Sequence, residues 1–309
     1  MKELPVWITE LEPDELQFIK RFVLASGSLI LLAAVLTVVI ALTAVCALYL
    51  GDYYPADTEA LEAFSPVHPV TREEWKDGTV VIRPEGRDPV AGLIFYPGGK
   101  VEHTAYTPLM EALASEGILC VLVEMPFRLA VLDVNAADGI PEAFPEVECW
   151  YMGGHSLGGS MAASYLASHA EDFDGLILLG SYSTADLSGS GLAVLSVYGS
   201  EDGVMNREKY AEYKPNLPEG FTEIIIEGGN HAYFGTYGEQ EGDGTATVTP
   251  AEQLRQAIRR GYTEPWQLAE YFDLPEADVY IIHYLLLRGW KSALSQRTFR
   301  AVVFDEIQE

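Results

Sequence analysis

The pattern of hydrophobic positions divides the chain into one long apolar run and a series of shorter ones. Residues 28–50 carry no charge. At about 1.5 Å per residue they predict a helix of about 35 Å, long enough to cross a bilayer core of about 30 Å. After a polar stretch at 51–67, short apolar runs alternate with segments of helical periodicity. The runs predict strands at 78–83, 91–96, 118–124, 149–152, 175–180, 193–198 and 222–227, and the periodic segments predict helices at 108–115, 129–138, 206–213 and 252–260.

This alternation predicts an α/β fold. Continuous apolar strands separated by helices are typical of a mainly parallel sheet with helices on both faces. The sheet is expected to follow one N-terminal transmembrane helix and to precede a small helical extension. The predicted domains are a short N-terminal segment at 1–27, the transmembrane helix at 28–50, a linker at 51–67, the α/β domain at 68–260 and the extension at 261–309.

Charges beside the apolar run predict its orientation. Lys20 and Arg21 precede the run, whereas acidic residues follow it and no basic residue occurs before Arg72. The positive-inside rule therefore predicts a single-pass protein of the cell membrane, with its N-terminus in the cytoplasm and the α/β domain outside. The run is longer than a signal-peptide core, so an uncleaved anchor is favoured, although Val45-Cys46-Ala47 could be read as a cleavage site.

The composition disfavours nucleic acid as a partner. The formal net charge is −27, and residues 51–250 contain 32 Asp and Glu against 9 Lys and Arg. The extension is predicted to hold a helix pair with the spacing of a helix-turn-helix, but residues 251–309 contain 7 Lys and Arg against 9 Asp and Glu. Neither part carries the basic surface that DNA binding requires. The three cysteines are too few for a disulfide framework.

One serine lies at the turn between a predicted strand and a predicted helix. The sequence Gly154-His155-Ser156-Leu157-Gly158 follows an apolar run and precedes small and apolar residues at helical spacing. Glycines on both sides allow a sharp turn and close packing of the helix on the strand. The turn would lift the Ser156 hydroxyl out of the sheet and direct the first helical N–H groups toward it. Ser156 is therefore predicted to be a nucleophile.

Two further strand ends carry the partners that such a serine needs. Asp202 follows the strand at 193–198 and His231 follows the strand at 222–227. The carboxyl ends of parallel strands meet at one edge of a sheet, so a base and an acid are expected near Ser156. Glu201 is an alternative to Asp202. The Leu157 N–H is the first predicted oxyanion donor, and the loop after the strand at 91–96 supplies the second from Gly99 or Lys100.

Residues of about 79–249 resemble a small α/β-hydrolase family of bacterial, often membrane-anchored proteins related to dienelactone hydrolases. The resemblance lies in Phe95-Tyr96-Pro97-Gly98-Gly99-Lys100-Val101-Glu102, Met125-Pro126-Phe127, Asp133-Val134-Asn135-Ala136-Ala137-Asp138, Gly153-Gly154-His155-Ser156-Leu157-Gly158-Gly159-Ser160, Tyr198-Gly199-Ser200-Glu201-Asp202-Gly203 and Gly228-Gly229-Asn230-His231-Ala232-Tyr233-Phe234-Gly235. It implies carboxylic-ester hydrolysis. Dienelactone hydrolases use a cysteine nucleophile where this chain has serine, so their substrate is not implied.

The expected function is hydrolysis of a small-molecule carboxylic ester through an acyl-enzyme, by Ser156, Asp202 and His231, without metal or cofactor. Predicted walls of the substrate site are Met125, Phe127, Tyr233 and Phe234. Two alternatives stay open: an acyltransferase or peptidase with the same triad, and a catalytically idle α/β-hydrolase domain that serves as a binding module. The sequence leaves open the substrate, the oligomeric state and the roles of 1–27 and 261–309.

Overall fold

A computed structural model describes residues 12–259 of the chain. The chain separates into two compact units, Met1–Asp52 and Tyr53–Glu309. In the first unit, helix α1 covers Pro13–Gly51 and includes the whole of the predicted span at 28–50. Its apolar side chains are exposed, and it is long and apolar enough to cross a membrane. The first eleven residues and the predicted extension at 261–309 lie outside the described residues.

The second unit alternates strands with helices, as the hydrophobic pattern predicts. Its strands are β1 Val70–Glu74, β2 Val80–Pro84, β3 Ala91–Tyr96, β4 Ile118–Leu122, β5 Trp150–His155, β6 Gly175–Leu179, β7 Ala193–Gly199 and β8 Thr222–Ile226. Its helices are α2 Thr58–Ala63, α3 Thr107–Ser115, α4 Leu157–His169, α5 Arg207–Tyr213 and α6 Pro250–Arg259.

The strands form one sheet in the order β1-β2-β4-β3-β5-β6-β7-β8. Strand β2 is antiparallel to both of its neighbours, and β3 to β8 pair in parallel. Every residue of β3, β4, β5, β6 and β7 is buried. Apolar side chains cover both faces of the sheet in two separate clusters. The predicted α/β class, with a mainly parallel sheet, is therefore confirmed.

Two segments differ from the sequence interpretation. The prediction of a helix at 129–138 is wrong, because the helical structure in this segment is a short 3₁₀ turn at Ala130–Leu132. The larger apolar side chains of that turn, those of Val131 and Leu132, are exposed and only the small side chain of Ala130 is buried, so too little apolar surface packs on the sheet there to stabilise a helix. Strand β1 was not predicted, because it lies at the sheet edge with four exposed residues and therefore lacks an apolar run.

Part of the stretch predicted as a linker packs on the α/β unit. Tyr54 forms a parallel bridge with Val101, and its N–H donates to the Lys100 carbonyl over 2.7 Å. The Ala56 N–H donates to the Glu102 carboxylate over 3.0 Å. Residues 53–57 are therefore fixed along the loop that follows β3.

Candidate active site

Ser156 lies at a sharp turn between β5 and α4. Its backbone has φ 52° and ψ −122°, a conformation that is strained for a residue with a side chain. The Ser156 N–H donates to the Leu179 carbonyl over 2.9 Å, and its carbonyl accepts from the Ser181 hydroxyl over 2.7 Å. These bonds hold the turn, so the side chain stands at the carboxyl edge of the sheet and remains partly exposed.

The glycines around the turn are required by close backbone approach. A Cβ on Gly158 would lie 2.2 Å from the Tyr96 carbonyl oxygen, and one on Gly154 would lie 2.5 Å from the backbone of Gly158. The beginning of α4 therefore packs directly on the ends of β3 and β5. Only glycine allows this approach, which brings the helix N-terminus against the loop after β3.

His231 and Asp202 form a buried pair at the neighbouring strand ends. The Nδ1–H of His231 donates to Asp202 Oδ2 over 2.8 Å, and both side chains are almost fully buried. Asp202 Oδ1 accepts from the N–H groups of Val204 and Met205, which orients the carboxylate. Nε2 of His231 has no hydrogen-bond partner among the described residues. Because the imidazole ring packs on that of His155, with ring centroids 4.4 Å apart, it lies beside the nucleophile turn.

Glu201, the alternative acid, points elsewhere. Its carboxylate accepts from the Ser200 hydroxyl over 3.0 Å, and the residue is exposed. Its N–H donates to the Gly229 carbonyl over 2.8 Å, so the backbone joins the acid loop to the histidine loop. Of the two adjacent carboxylates, only that of Asp202 contacts His231.

In the loop after β3, the amides on either side of Gly99 are hydrogen-bonded within the protein. The Lys100 N–H donates to the Arg128 carbonyl over 2.8 Å, and the Gly98 N–H donates to the Tyr106 hydroxyl oxygen over 3.1 Å. Neither amide is therefore available to a reacting group. A Cβ on Gly99 would lie 3.0 Å from the Leu157 side chain, so these two residues are in contact. The Leu157 amide is the first of α4 and has no carbonyl partner within the helix.

A second buried histidine, His155, packs on His231 and is hydrogen-bonded to Tyr106. The Gly98 amide occupies the Tyr106 hydroxyl oxygen, so the hydroxyl proton is free to donate to His155 Nδ1 over 2.7 Å. Burial first, and then the neighbouring His231, lower the pKa of His155 well below its ordinary value of 6.5. Burial raises the pKa of Tyr106, so its hydroxyl keeps its proton. This chain links the residue before Ser156 to the loop that contains Gly99.

Asp243, which sequence reasoning did not single out, joins the acid and histidine loops. Its Oδ1 accepts from the N–H groups of Gly203 over 3.0 Å and of His231 over 3.1 Å, and its Oδ2 accepts from Ala232 over 2.8 Å. Charge-assisted bonds of this kind are among the stronger hydrogen bonds in proteins. In the sequence Asp243 is one acidic residue among many in a glycine-rich loop, so no local signal distinguishes it.

Gln253 of α6 provides a second support for the histidine loop. It is fully buried, its Oε1 accepts from the Asn230 N–H over 2.9 Å and its Nε2 donates to the Asn230 carbonyl over 2.7 Å. Both backbone groups of the residue before His231 are thereby satisfied. The helix that closes the unit is therefore coupled to the position of the imidazole.

The four predicted substrate-site residues lie in different environments. Phe127 is 62% exposed beside the loop that contains Lys100, whereas Met125 is 2% exposed. Phe234 is fully buried and packs on His155, with ring centroids 5.7 Å apart, so it lies beneath the site and not at its opening. Tyr233 is half-buried against the core cluster that includes Phe234.

A groove of about 500 Å³ lies at the β1 edge of the unit, lined by Leu61, Arg72, Glu73, Glu74, Val80, Thr104, Thr107, Pro108 and Glu111. It includes none of the predicted site residues. Within residues 12–259, no group of three or more His, Cys, Asp and Glu side chains has the arrangement of a metal site.

The strand order, with β2 antiparallel and a nucleophile turn after β5, defines an α/β-hydrolase fold. Residues 92–255, slightly more than half of the chain, match the model of the alpha/beta hydrolase family. The chain belongs to that family, which makes it a hydrolase. This match assigns the chain to the family as a whole and not to the membrane-anchored group, related to dienelactone hydrolases, that the sequence resembles.

Two solved structures are similar to the chain at low sequence identity. TT1662 from Thermus thermophilus is 17% identical, covers 53% of this chain and 91% of its own, and has a TM-score of 0.43. A predicted CIB-like hydrolase from Thermoplasma acidophilum is 17% identical, covers 60% of this chain and 95% of its own, and has a TM-score of 0.44. No curated protein matches the chain.

Proposed function

We propose that the protein is a serine hydrolase that cleaves carboxylic esters through an acyl-enzyme. The observation that carries the proposal is the buried hydrogen bond between His231 Nδ1 and Asp202 Oδ2, next to a serine with φ 52°. The bond to Asp202 leaves Nε2 of His231 as the nitrogen that can remove a proton. A hydroxyl needs such a base because it is a weak nucleophile at neutral pH.

The proposed reaction has two halves. Ser156 Oγ attacks the ester carbonyl carbon while its proton passes to His231 Nε2, and the carbonyl oxygen becomes an oxyanion. Collapse of this intermediate breaks the bond to the alcohol oxygen, which takes the proton from His231 and leaves. Water then attacks the acyl-serine carbonyl and gives its proton to His231. Collapse of this second intermediate breaks the bond to Ser156 Oγ, which takes the proton back from His231, and the acid is released. Asp202 stabilises the imidazolium in both halves.

The oxyanion is proposed to bind the N–H groups of Leu157 and Gly99. Their contact supports this pairing, as does the engagement of the Lys100 amide by the Arg128 carbonyl. The N-terminus of α4 adds a favourable dipole for negative charge. Lys100, the other candidate from the sequence, is therefore not proposed as a donor.

The protein is further proposed to be anchored in the cell membrane by α1, with the hydrolase unit outside. A run without charges at residues 28–50, and Lys20 and Arg21 on its N-terminal side, support this orientation. The apolar and exposed surface of α1 needs an apolar environment, which a bilayer would provide.

Hydrolysis of p-nitrophenyl esters of increasing acyl length tests the proposed function. The Ser156→Ala variant should lower kcat by roughly 10³–10⁶ without loss of the folded state, because the turn is held by backbone hydrogen bonds of Ser156 and the residue is partly exposed. The matched control is Ser164→Ala in α4, which removes a hydroxyl bonded only within the helix. A Ser156→Ala variant with nearly full activity would overturn the assignment, and an inactive wild type would favour the binding-module alternative.

A further inference from the structure

The loop at residues 126–132, which follows β4, presents large apolar side chains to solvent. Phe127, Val131 and Leu132 are 62%, 53% and 55% exposed. Elsewhere in the described residues 53–259, the exposed large hydrophobic side chains are isolated ones: Val67, Val90 and Ile225. We call Phe127, Val131 and Leu132 the apolar rim. Grouped apolar exposure of this kind marks a binding surface more often than isolated exposed residues do.

The apolar rim is held beside the proposed oxyanion loop. The Arg128 carbonyl accepts from the Lys100 N–H, and the Arg128 N–H donates to the Met125 carbonyl, both over 2.8 Å. The Leu132 N–H donates to the Leu129 carbonyl over 2.9 Å, which fixes the second turn of the loop. The hydrogen bond between Arg128 and Lys100 therefore joins the neighbour of Phe127 to the neighbour of Gly99.

The chain that leaves the apolar helix joins the hydrolase unit at this same loop. The Arg128 guanidinium lies over the Tyr53 ring, 3.5 Å from its centroid. Tyr54 exchanges backbone hydrogen bonds with Lys100 and Glu102 over 2.7 and 2.9 Å. Only Asp52 separates Tyr53 from Gly51, where α1 ends. The first residues of the hydrolase unit, Tyr53 and Tyr54, are therefore held on the loops that follow β3 and β4.

We propose that the apolar rim inserts into the bilayer surface and that the site takes esters carried in the membrane. This inference rests on the proposed function for its chemistry. The substrate would have an apolar acyl chain, which the rim can contact as the ester leaves the bilayer. Its head group would be uncharged or zwitterionic, because Glu124 and Asp133 are exposed on either side of the loop and residues 51–250 carry 32 acidic against 9 basic residues.

The test uses the full chain in phosphatidylcholine nanodiscs and two probes. One probe is a neutral long-chain fluorogenic ester embedded in the disc, and the other is water-soluble p-nitrophenyl acetate. The measured quantity is the kcat/KM for the embedded ester divided by the kcat/KM for p-nitrophenyl acetate. Val131→Ser with Leu132→Ser should lower this ratio by about tenfold or more, because two apolar side chains no longer enter the interface. The control, Val90→Ser with Ile225→Ser, also removes two exposed apolar side chains and should leave the ratio within about twofold.

Each outcome separates this inference from the proposed function. A wild type that cleaves p-nitrophenyl acetate but not the embedded ester overturns the inference and leaves the proposed function intact. A wild type that cleaves neither ester overturns the proposed function. An unchanged ratio in the rim variant overturns the membrane role of the rim. This is also the result expected if the rim binds a protein and not the bilayer. If an embedded ester with an anionic head group were cleaved faster than the neutral embedded ester, the proposed head-group preference would be overturned.

Discussion

At the scale of single residues, the backbone of Ser156 and the burial of its neighbours distinguish the site from the rest of the sheet. The serine takes a strained turn conformation, whereas the His231 and Asp202 side chains are almost completely enclosed. Burial strengthens their mutual attraction, because the local dielectric constant is lower than in water. It also makes an unpaired charge there costly, so the removal of either partner should have a large effect.

The two adjacent acids should respond very differently to substitution. Asp202→Asn should lower kcat on the order of 10⁴-fold, because an amide stabilises the wrong tautomer of His231 and not its charged form. Glu201→Gln should change kcat by less than about tenfold, because its carboxylate is exposed and hydrogen-bonds to the Ser200 hydroxyl and not to His231 in the described part of the chain. Steady-state kinetics of the two variants on one ester decide the matter. If the Glu201 variant is the inactive one, the acid has been assigned to the wrong residue.

His155 should make the stability of the fold sensitive to mild acid. Its pKa is lowered in the folded state, so the unfolded chain binds a proton first as the pH falls below about 6.5. The stability that neutral His155 contributes is therefore complete above that pH and is lost below it, by at most about 1.4 kcal/mol per pH unit. His155→Asn, which keeps an acceptor for Tyr106, should reduce the difference in unfolding free energy between about pH 7.5 and 5.5. Urea titrations in detergent measure it.

The control for that experiment is His68→Asn, which removes an exposed imidazole elsewhere in the chain. A His155 variant whose stability changes with pH as steeply as that of the wild type would show that the buried imidazole is not responsible.

At the scale of elements, the site depends on loops that reach one another from distant parts of the chain. The acid loop after β7 and the histidine loop after β8 are joined by the Glu201 N–H and by the Asp243 carboxylate. Helix α6 adds the Gln253 side chain. The strands bring these loops to one edge, and the hydrogen bonds between loops then determine their relative position.

Asp243→Asn should therefore lower kcat more than it lowers stability. An amide nitrogen cannot accept the backbone N–H groups that a carboxylate oxygen accepts, so the histidine loop should shift relative to the acid loop. A displacement of about 1 Å at a reacting group can cost about a hundredfold in rate. Kinetics and thermal unfolding should be measured together, with Glu239→Gln as a control that removes an exposed charge from the same loop. Equal kcat in the two variants would contradict a positioning role.

Comparison of the strands explains what the sequence could and could not predict. Buried strands such as β3 and β7 have continuous apolar runs, so these strands and the loops that follow them could be predicted from the sequence. Because the carboxyl ends of parallel strands meet at one edge of the sheet, Ser156, Asp202 and His231 could be expected there. Asp243 could not be found, because it contacts Gly203 across 40 positions and its own neighbours are ordinary polar residues. The hydrogen bond that occupies the Lys100 amide was equally invisible, because it depends on the position of Arg128 after β4.

At the scale of the whole molecule, an α/β-hydrolase unit follows a helix that could span a membrane. The positive-inside rule predicts that the two ends of that helix lie on opposite sides of the membrane, because Lys20 and Arg21 precede the span and the hydrolase unit that follows it is acidic. The chain enters the hydrolase unit at Tyr53 and Tyr54, which are fixed on the loops around the site. Anchoring and catalysis are therefore expected to affect each other.

Protease added to intact cells or right-side-out vesicles should digest the hydrolase unit and leave an N-terminal tag intact. The physical reason is that Lys20 and Arg21 are retained on the cytoplasmic side. Lysed samples provide the control, because both ends should then be cleaved. A hydrolase unit that is protected until lysis would mean that the orientation is the reverse of the one proposed.

Reaction of the full chain with a fluorophosphonate probe tests the central claim most directly. An activated serine displaces fluoride and forms a stable phosphonyl ester, whereas an idle binding module does not react. Mass spectrometry of the digested protein should find the adduct on Ser156, and the adduct should be lost in the His231→Ala variant because no base then activates the hydroxyl. A folded wild type without an adduct, or with an adduct on another serine, would contradict the account.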